Sequence, residues 1–214
     1  GPLWGHTGRN ISLYWRYEKA LRKAESDVDS TLGVTGAIYA IRREFVEPIP
    51  DDTILDDIEI PLKAFRKGYR VIFEPGAVAY DKASSEIETE FRRKVRTLTG
   101  NFQLFSRNRW LLSPFENRIF IQSISHKLFR LFIPYALMAV LLTTSMLENS
   151  MFKLLFWGQV ICYLAGAAAI LVKGLRRNRT LNFISVFLSL NTASVVALYK
   201  YSFNKVDVTW RDQP

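Results

Sequence analysis

Three long apolar runs dominate the second half of this 214-residue chain and limit what it can fold into: LFRLFIPYALMAVLLTTSML (128–147), FKLLFWGQVICYLAGAAAILV (152–172) and LNFISVFLSLNTASVVALY (181–199). Each approaches the roughly 20 residues that a helix needs to cross the hydrocarbon core of a bilayer. The first two have almost no polar stripe at helical spacing, which a helix buried in a soluble bundle would show. They read as membrane spans. The third carries Asn191, Thr192 and several serines, so a re-entrant or tightly packed helix stands beside a full crossing.

Charge gives an orientation. The chain holds 29 Lys and Arg against 20 Asp and Glu, and the excess is concentrated: residues 127–214 contain 10 basic and 3 acidic side chains. His126, Lys127 and Arg130 precede or open the first run, KGLRRNRT (173–180) precedes the third, and the short Glu148-Asn149-Ser150 link has no Lys or Arg. Because positive loops stay inside, residues 1–126 and 173–180 are expected on the cytoplasmic side of a cell membrane. The lone Cys162 lies within an apolar run and supports neither an intrachain disulfide nor a zinc site.

The first half mixes periodicities. ISLYWRYEKALRKA (11–24) puts Leu13, Tyr17, Ala20, Leu21 and Ala24 on one helical face, predicting an amphipathic helix lying on a core. VTGAIYAIRRE is strand-like with small residues, and Gly36 permits close backbone approach. RVIFEP and AVAYD read as short strands about a Pro75-Gly76 turn. These elements predict an α/β class for residues 1–100, an interfacial segment over 101–126 with a helix begun at Ser113-Pro114, transmembrane helices within 127–200 and a tail over 201–214.

Chemistry enters at ILDDIEIPLKAFRKG (54–68). Ile58, Leu62 and Phe65 fall on one helical face, Gly68 is a stop signal, and Asp56-Asp57 stand at the start. Carboxylates there suit a helix N-terminus, where they meet free amides and the positive end of the dipole. Yet residues 44–59 hold seven acidic side chains and no basic one, and mutual repulsion raises proton affinity, which suits a general base. Both readings stay open from spacing alone. Further on, Arg92, Arg93, Lys94 and Arg96 form a cationic cluster far upstream of the first span, suited to a concentrated anion such as a diphosphate. Headgroup attraction is the competing account for the basic residues, including Arg107, Arg109 and Arg118.

An acidic pair before a helix, a preceding Thr-Gly-Ala, a following basic motif and then apolar helices resemble, in that order, the C-terminal portion of membrane-integral family 2 glycosyltransferases. That family includes cellulose, chitin and hyaluronan synthases. The resemblance implies a partial GT-A-type α/β domain followed by an interfacial helix and an all-α transmembrane region. It implies that Thr35, Gly36 and Ala37 line the acceptor site, that Asp57 is the general base with Asp56 a secondary candidate, and that Arg93 and Arg96 bind the donor diphosphate with Lys94 secondary. The donor would be a nucleotide-diphosphate sugar such as a UDP-sugar, and the acceptor a carbohydrate or lipid-linked hydroxyl. Arg93 and Thr97 replace the glutamine and tryptophan of the QxxRW found in processive members, which points to a non-processive or short-chain transferase. The Mg²⁺ or Mn²⁺ of the family would be held by an N-terminal half with no counterpart here, so the chain is expected to be incomplete as an enzyme. The only DxD-like stretch, Asp27 to Asp29, lies in a polar segment.

A reading of another class is a non-enzymatic anchor or transporter subunit that uses its basic face for lipids. The apolar runs lack the interior ionisable groups of transport pathways except Lys153 near an edge, which favours an anchored enzyme. Nucleic-acid binding is disfavoured, because the charge follows the edges of the apolar runs and does not stripe the folded half.

Overall fold

The computed structural model describes residues 6–79, 87–203 and 205. Its helices are α1 (His6–Val28), α2 (Asp56–Arg66), α3 (Ile87–Arg107), α4 (Phe120–Met146), α5 (Ser150–Leu171) and α6 (Arg179–Ser202). The last three are each long and apolar enough to cross a membrane.

The expected α/β, GT-A-type domain is overturned: among the described residues there is no strand and no sheet, only an isolated bridge between Thr35 and Ile38. The strand-like runs satisfy their backbones another way. Ser30 Oγ accepts from the Val71 amide at 2.8 Å, Ser26 Oγ accepts from the Phe73 amide at 3.0 Å, and the Thr31 amide donates to the Val71 carbonyl at 2.9 Å. Buried backbone groups need partners, but the hydroxyls of Ser26 in the last turn of α1 and of Ser30 just beyond it meet that need without a ladder. Residues 77–79 of AVAYD form no strand, and its last two residues lie outside the described ones.

α2 forms as its spacing predicts. Ile58, Leu62 and Phe65 are all buried, and the chain leaves the helix through Gly68 at φ 92°, a left-handed conformation that glycine adopts without strain. α1 turns differently. Tyr17, Ala20 and Ala24 are exposed, whereas Glu18, Leu21, Arg22 and Glu25 face the beginning of α4. The reason is electrostatic: His126 Nδ1 lies 2.6 Å from Glu25 Oε1, and Arg130 Nη1 lies 3.4 Å from Glu18 Oε1, so α1 turns its charged face inward.

α3 is the central element and runs through residue 100 without a break. On one side Gly100 meets the Ile54 and Leu55 side chains at the entrance to α2; on another, Thr99 Oγ1 reaches to 3.5 Å from the Ala197 carbonyl and Phe102 stacks on Tyr201 of α6. Ala193 and Ala197 are fully buried, so the third apolar run packs tightly against α3 over its second half. α6 also meets α5 at Gly166, beside Ile184 and Leu188, and α4 where Ser194 Oγ donates to the Leu131 carbonyl at 3.0 Å.

The segment from Ser113 does not start a helix at Pro114. It turns about buried Asn117, whose amide donates to the Leu111 carbonyl and to Ser123 Oγ, and α4 begins at Phe120. Within α4, residues Ile124–Leu128 form a π-helical turn.

Candidate functional site

Two short pieces of chain meet at the start of α2. Thr35 to Ile38 is a tight turn closed by the Ile38 amide donating to the Thr35 carbonyl at 3.1 Å, and the Val34 amide donates to the Asp57 carbonyl at 3.0 Å. A Cβ on Gly36 would lie 3.7 Å from both Cβ and Oδ2 of Asp57, so the turn rests against that carboxylate. Thr35, Gly36, Ala37 and Asp57 are thereby brought together. Arg22 of α1 fixes the turn from the other side, its Nη1 donating to Thr35 Oγ1 at 2.8 Å.

The close approach that requires glycine lies one turn earlier. A Cβ on Gly33 would fall 2.7 Å from Ile58 Cγ1, and one on Gly100 would fall 2.4 Å from Leu55 Cγ. Between them these two glycines let α2 seat against both the 33–38 segment and α3. Gln103 adds a polar clamp, accepting from the Ile54 amide at 3.0 Å and donating to the Asp52 carbonyl at 2.8 Å. Spacing in the sequence singled out none of the three.

Asp56 and Asp57 are the first two residues of α2, and Leu55 before them contributes no side-chain cap. Asp56 is exposed; Asp57 is partly buried. Burial raises the proton affinity of Asp57 first, and the Asp56 carboxylate adds to it, while Lys127, Arg22 and Arg96 pull the other way. Three other carboxylates of the acidic stretch are engaged elsewhere. Glu47 pairs with Lys67 and Lys63, Asp52 with Arg107, and Glu59 accepts from the Asn108 amide group at 3.0 Å. The Lys67 hydrogen bond holds Glu47 below the usual carboxylate range.

The basic cluster separates on α3. Arg92 and Arg93 point outward to Glu88 and Glu90, at 3.5 and 3.7 Å, and Thr97 is exposed. Lys94 turns inward, where burial and then Arg130 lower its proton affinity against the pull of Glu90 and Glu18. Of the four, Arg96 is the one whose field reaches Asp57. Headgroup attraction does not describe Arg107 or Arg118. The former pairs with Asp52, and the latter donates to the Tyr69 carbonyl at 3.1 Å with its guanidinium 4.8 Å from the centre of the Phe65 ring.

Beside this site, α1 and the π-helical turn of α4 enclose a cleft lined by Glu18, Arg22, Glu25, His126, Lys127 and Arg130. The sequence reading gave α1 an apolar inner face and so missed it. A His, an Arg and two Glu at positions 18, 22, 25 and 126 become legible only once α1 and α4 are paired. Among the described residues no three His, Cys, Asp or Glu side chains cluster as a donor set for the divalent ion that the resemblance implies, whose ligands are expected in an N-terminal half with no counterpart here.

Residues 8–172 match the model of a protein family described as Glycosyl transferase family group 2. No curated protein and no solved structure matches the chain.

Proposed function

Since the chain belongs to glycosyl transferase family group 2, and its role is therefore glycosyl transfer, we propose that Asp57 is the general base of an inverting transfer to a hydroxyl acceptor. The observation that carries this reading is the partly buried carboxylate held against the Thr35-Gly36-Ala37 turn, within the field of Arg96. The acceptor hydroxyl lies on that turn and gives its proton to Asp57 as its oxygen bonds to the anomeric carbon of a nucleotide-diphosphate sugar. The bond from that carbon to the diphosphate breaks, and the nucleoside diphosphate leaves with the electron pair. Arg96 stabilises the charge that grows on the leaving group. Arg93, exposed and paired with Glu90, is assigned a lesser part. A UDP-sugar is the expected donor. Exposed Thr97, where an aromatic platform would hold a polymer, supports non-processive transfer.

The site sits on the side of the apolar helices to which His126, Lys127 and Arg130 belong, and the positive-inside rule makes that side cytoplasmic. The test is Asp57→Asn in membranes carrying the protein. The transfer rate should fall at least about a hundredfold, the usual size of a general-base effect, while Asp56→Asn costs far less. Near-normal turnover by a folded Asp57→Asn protein would exclude the assignment.

A further inference from the structure

The cleft between α1 and the π-helical turn of α4 holds more cation than its own carboxylates neutralise. Glu25 is hydrogen-bonded to His126, and Glu18 pairs with Arg130. Among the described residues neither Arg22 nor Lys127 makes a carboxylate ion pair, although both line the cleft. The two cations lie within each other's electrostatic reach, and both act on Asp57. Two like charges at a partly buried site repel; Glu18 and Glu25 act on Lys127 to offset part of that, and a bound anion would offset the rest. Arg and Lys together supply the planar fork and the point charge that a phosphate accepts. The surrounding backbone agrees with a binding role, since π-helical turns are rare and recur at functional sites.

Position narrows the ligand. One wall of the cleft is the opening of α4, which continues directly into an apolar span, so a bound phosphate sits where a lipid headgroup sits. The other end of the cleft is Gly33 and the Arg22 that holds Thr35, so it adjoins the turn facing Asp57. We propose that this cleft is a subsite for the phosphate of a membrane-bound acceptor lipid, with Arg22 and Lys127 as its cations. The phosphate is anchored at the membrane edge while the hydroxyl-bearing part reaches the Thr35-Gly36-Ala37 turn. The assignment rests on the acceptor reading of that turn and adds the chemical class of the acceptor.

Binding tests it without requiring turnover. The full chain in neutral detergent is titrated with short-chain phosphatidic acid, and bound lipid is counted by native mass spectrometry. Inorganic pyrophosphate serves as the water-soluble comparison. Arg22→Gln with Lys127→Gln should weaken phosphatidic acid binding about tenfold or more, the scale expected for losing charge-assisted hydrogen bonds to phosphate. Arg109→Gln with Arg177→Gln, which removes the same charge from exposed positions elsewhere, should leave it unchanged. The charge-keeping pair Arg22→Lys with Lys127→Arg should retain most of the binding and shows that the site tolerates substitution. If the double glutamine variant does not fold by circular dichroism, Lys127→Gln alone carries the test with a smaller loss. Equal losses in the two glutamine pairs, or no loss in either, overturn the subsite. Pyrophosphate binding as tight as the lipid overturns the lipid assignment and makes the cleft a site for soluble phosphate. Transfer activity is not read, so failure here leaves the role of Asp57 standing, and failure of that role leaves this result intact.

Discussion

At the scale of single residues, the same burial that suits Asp57 to proton transfer works against the fold. Its pKa is raised above the ordinary aspartate value, so between the two values the native state holds a proton that the unfolded chain has already lost. Stability therefore falls as pH climbs from the ordinary carboxylate value through the raised one, and the deficit persists at neutral pH. Asp57→Asn should melt at a higher temperature than the unsubstituted protein at pH 7 and lose that advantage in acid, where both carry a neutral side chain. A thermal melt at the two pH values decides it; equal melting temperatures at pH 7 would contradict the burial argument. Catalysis has the opposite sign, since a base must be ionised. The acidic limb of kcat/KM should have its midpoint above the ordinary aspartate value, and it should vanish in the Asn variant if Asp57 is the group that titrates. Gly36 poses a separate question. A methyl group there meets Asp57 only at ordinary contact distance, so Gly36→Ala should fold normally. It should nevertheless raise the KM for acceptor, because the methyl occupies the surface that the acceptor approaches. Unchanged acceptor KM would move the acceptor away from this turn.

At the scale of elements, what could be read from sequence depended on where each element finds its partner. α2 was legible because its partner is a single apolar surface, so Ile58, Leu62 and Phe65 appear as one periodic stripe. α1 was not, because its partner is the charged opening of α4, and the face that packs reads as a solvent face until Glu25 and His126 are seen together. Strand-like composition at 70–75 also misled: Val71 is buried and Ile72 exposed as alternation demands, but the backbone bonds go to Ser26 at the end of α1 and to Ser30 and Thr31 just after it, and not to a neighbouring strand. The resemblance singled out Asp57 and Thr35-Gly36-Ala37, while the supports beneath them, Gly33, Gly100 and Gln103, lie in positions that no motif marks. They make a sharp prediction. Gly100→Ala places a Cβ 2.4 Å from Leu55 Cγ and must part α2 from α3, so it should cost about 1–3 kcal/mol, the usual penalty of overpacking. Gln103→Ala removes the acceptor of the Ile54 amide and should cost a similar amount, about 1–3 kcal/mol, for a backbone donor left unsatisfied. Chemical denaturation checks both, with Gly174→Ala as a control that meets no neighbouring atom.

At the scale of the whole molecule, α3 ties the site to the apolar helices. Its Gly100 edge holds the entrance to α2, Arg96 acts on Asp57, and its Thr99 and Phe102 edge lies on α6. α6 in turn is fixed to α4 through Ser194 and Leu131, and to α5 at Gly166. A displacement at the α3 and α6 contact should thus reach Asp57 through one rigid helix. Ala197 is fully buried there. Ala197→Leu should force α3 off α6 at a cost of about 1–3 kcal/mol, and the packed interior passes the strain onward instead of absorbing it. The transfer rate should fall with it, although Ala197 lies on a helix that contributes no residue to the site. Ala168→Leu, on the exposed face of α5, adds the same bulk without an inner neighbour and should change neither the melting temperature nor the rate. The two measurements together separate the possibilities. A lower melting temperature with an unchanged rate would mean that α6 supports the fold but does not position Arg96. A lower rate at temperatures well below the melt, absent in the α5 control, is the outcome expected if the apolar helices set the geometry of the site.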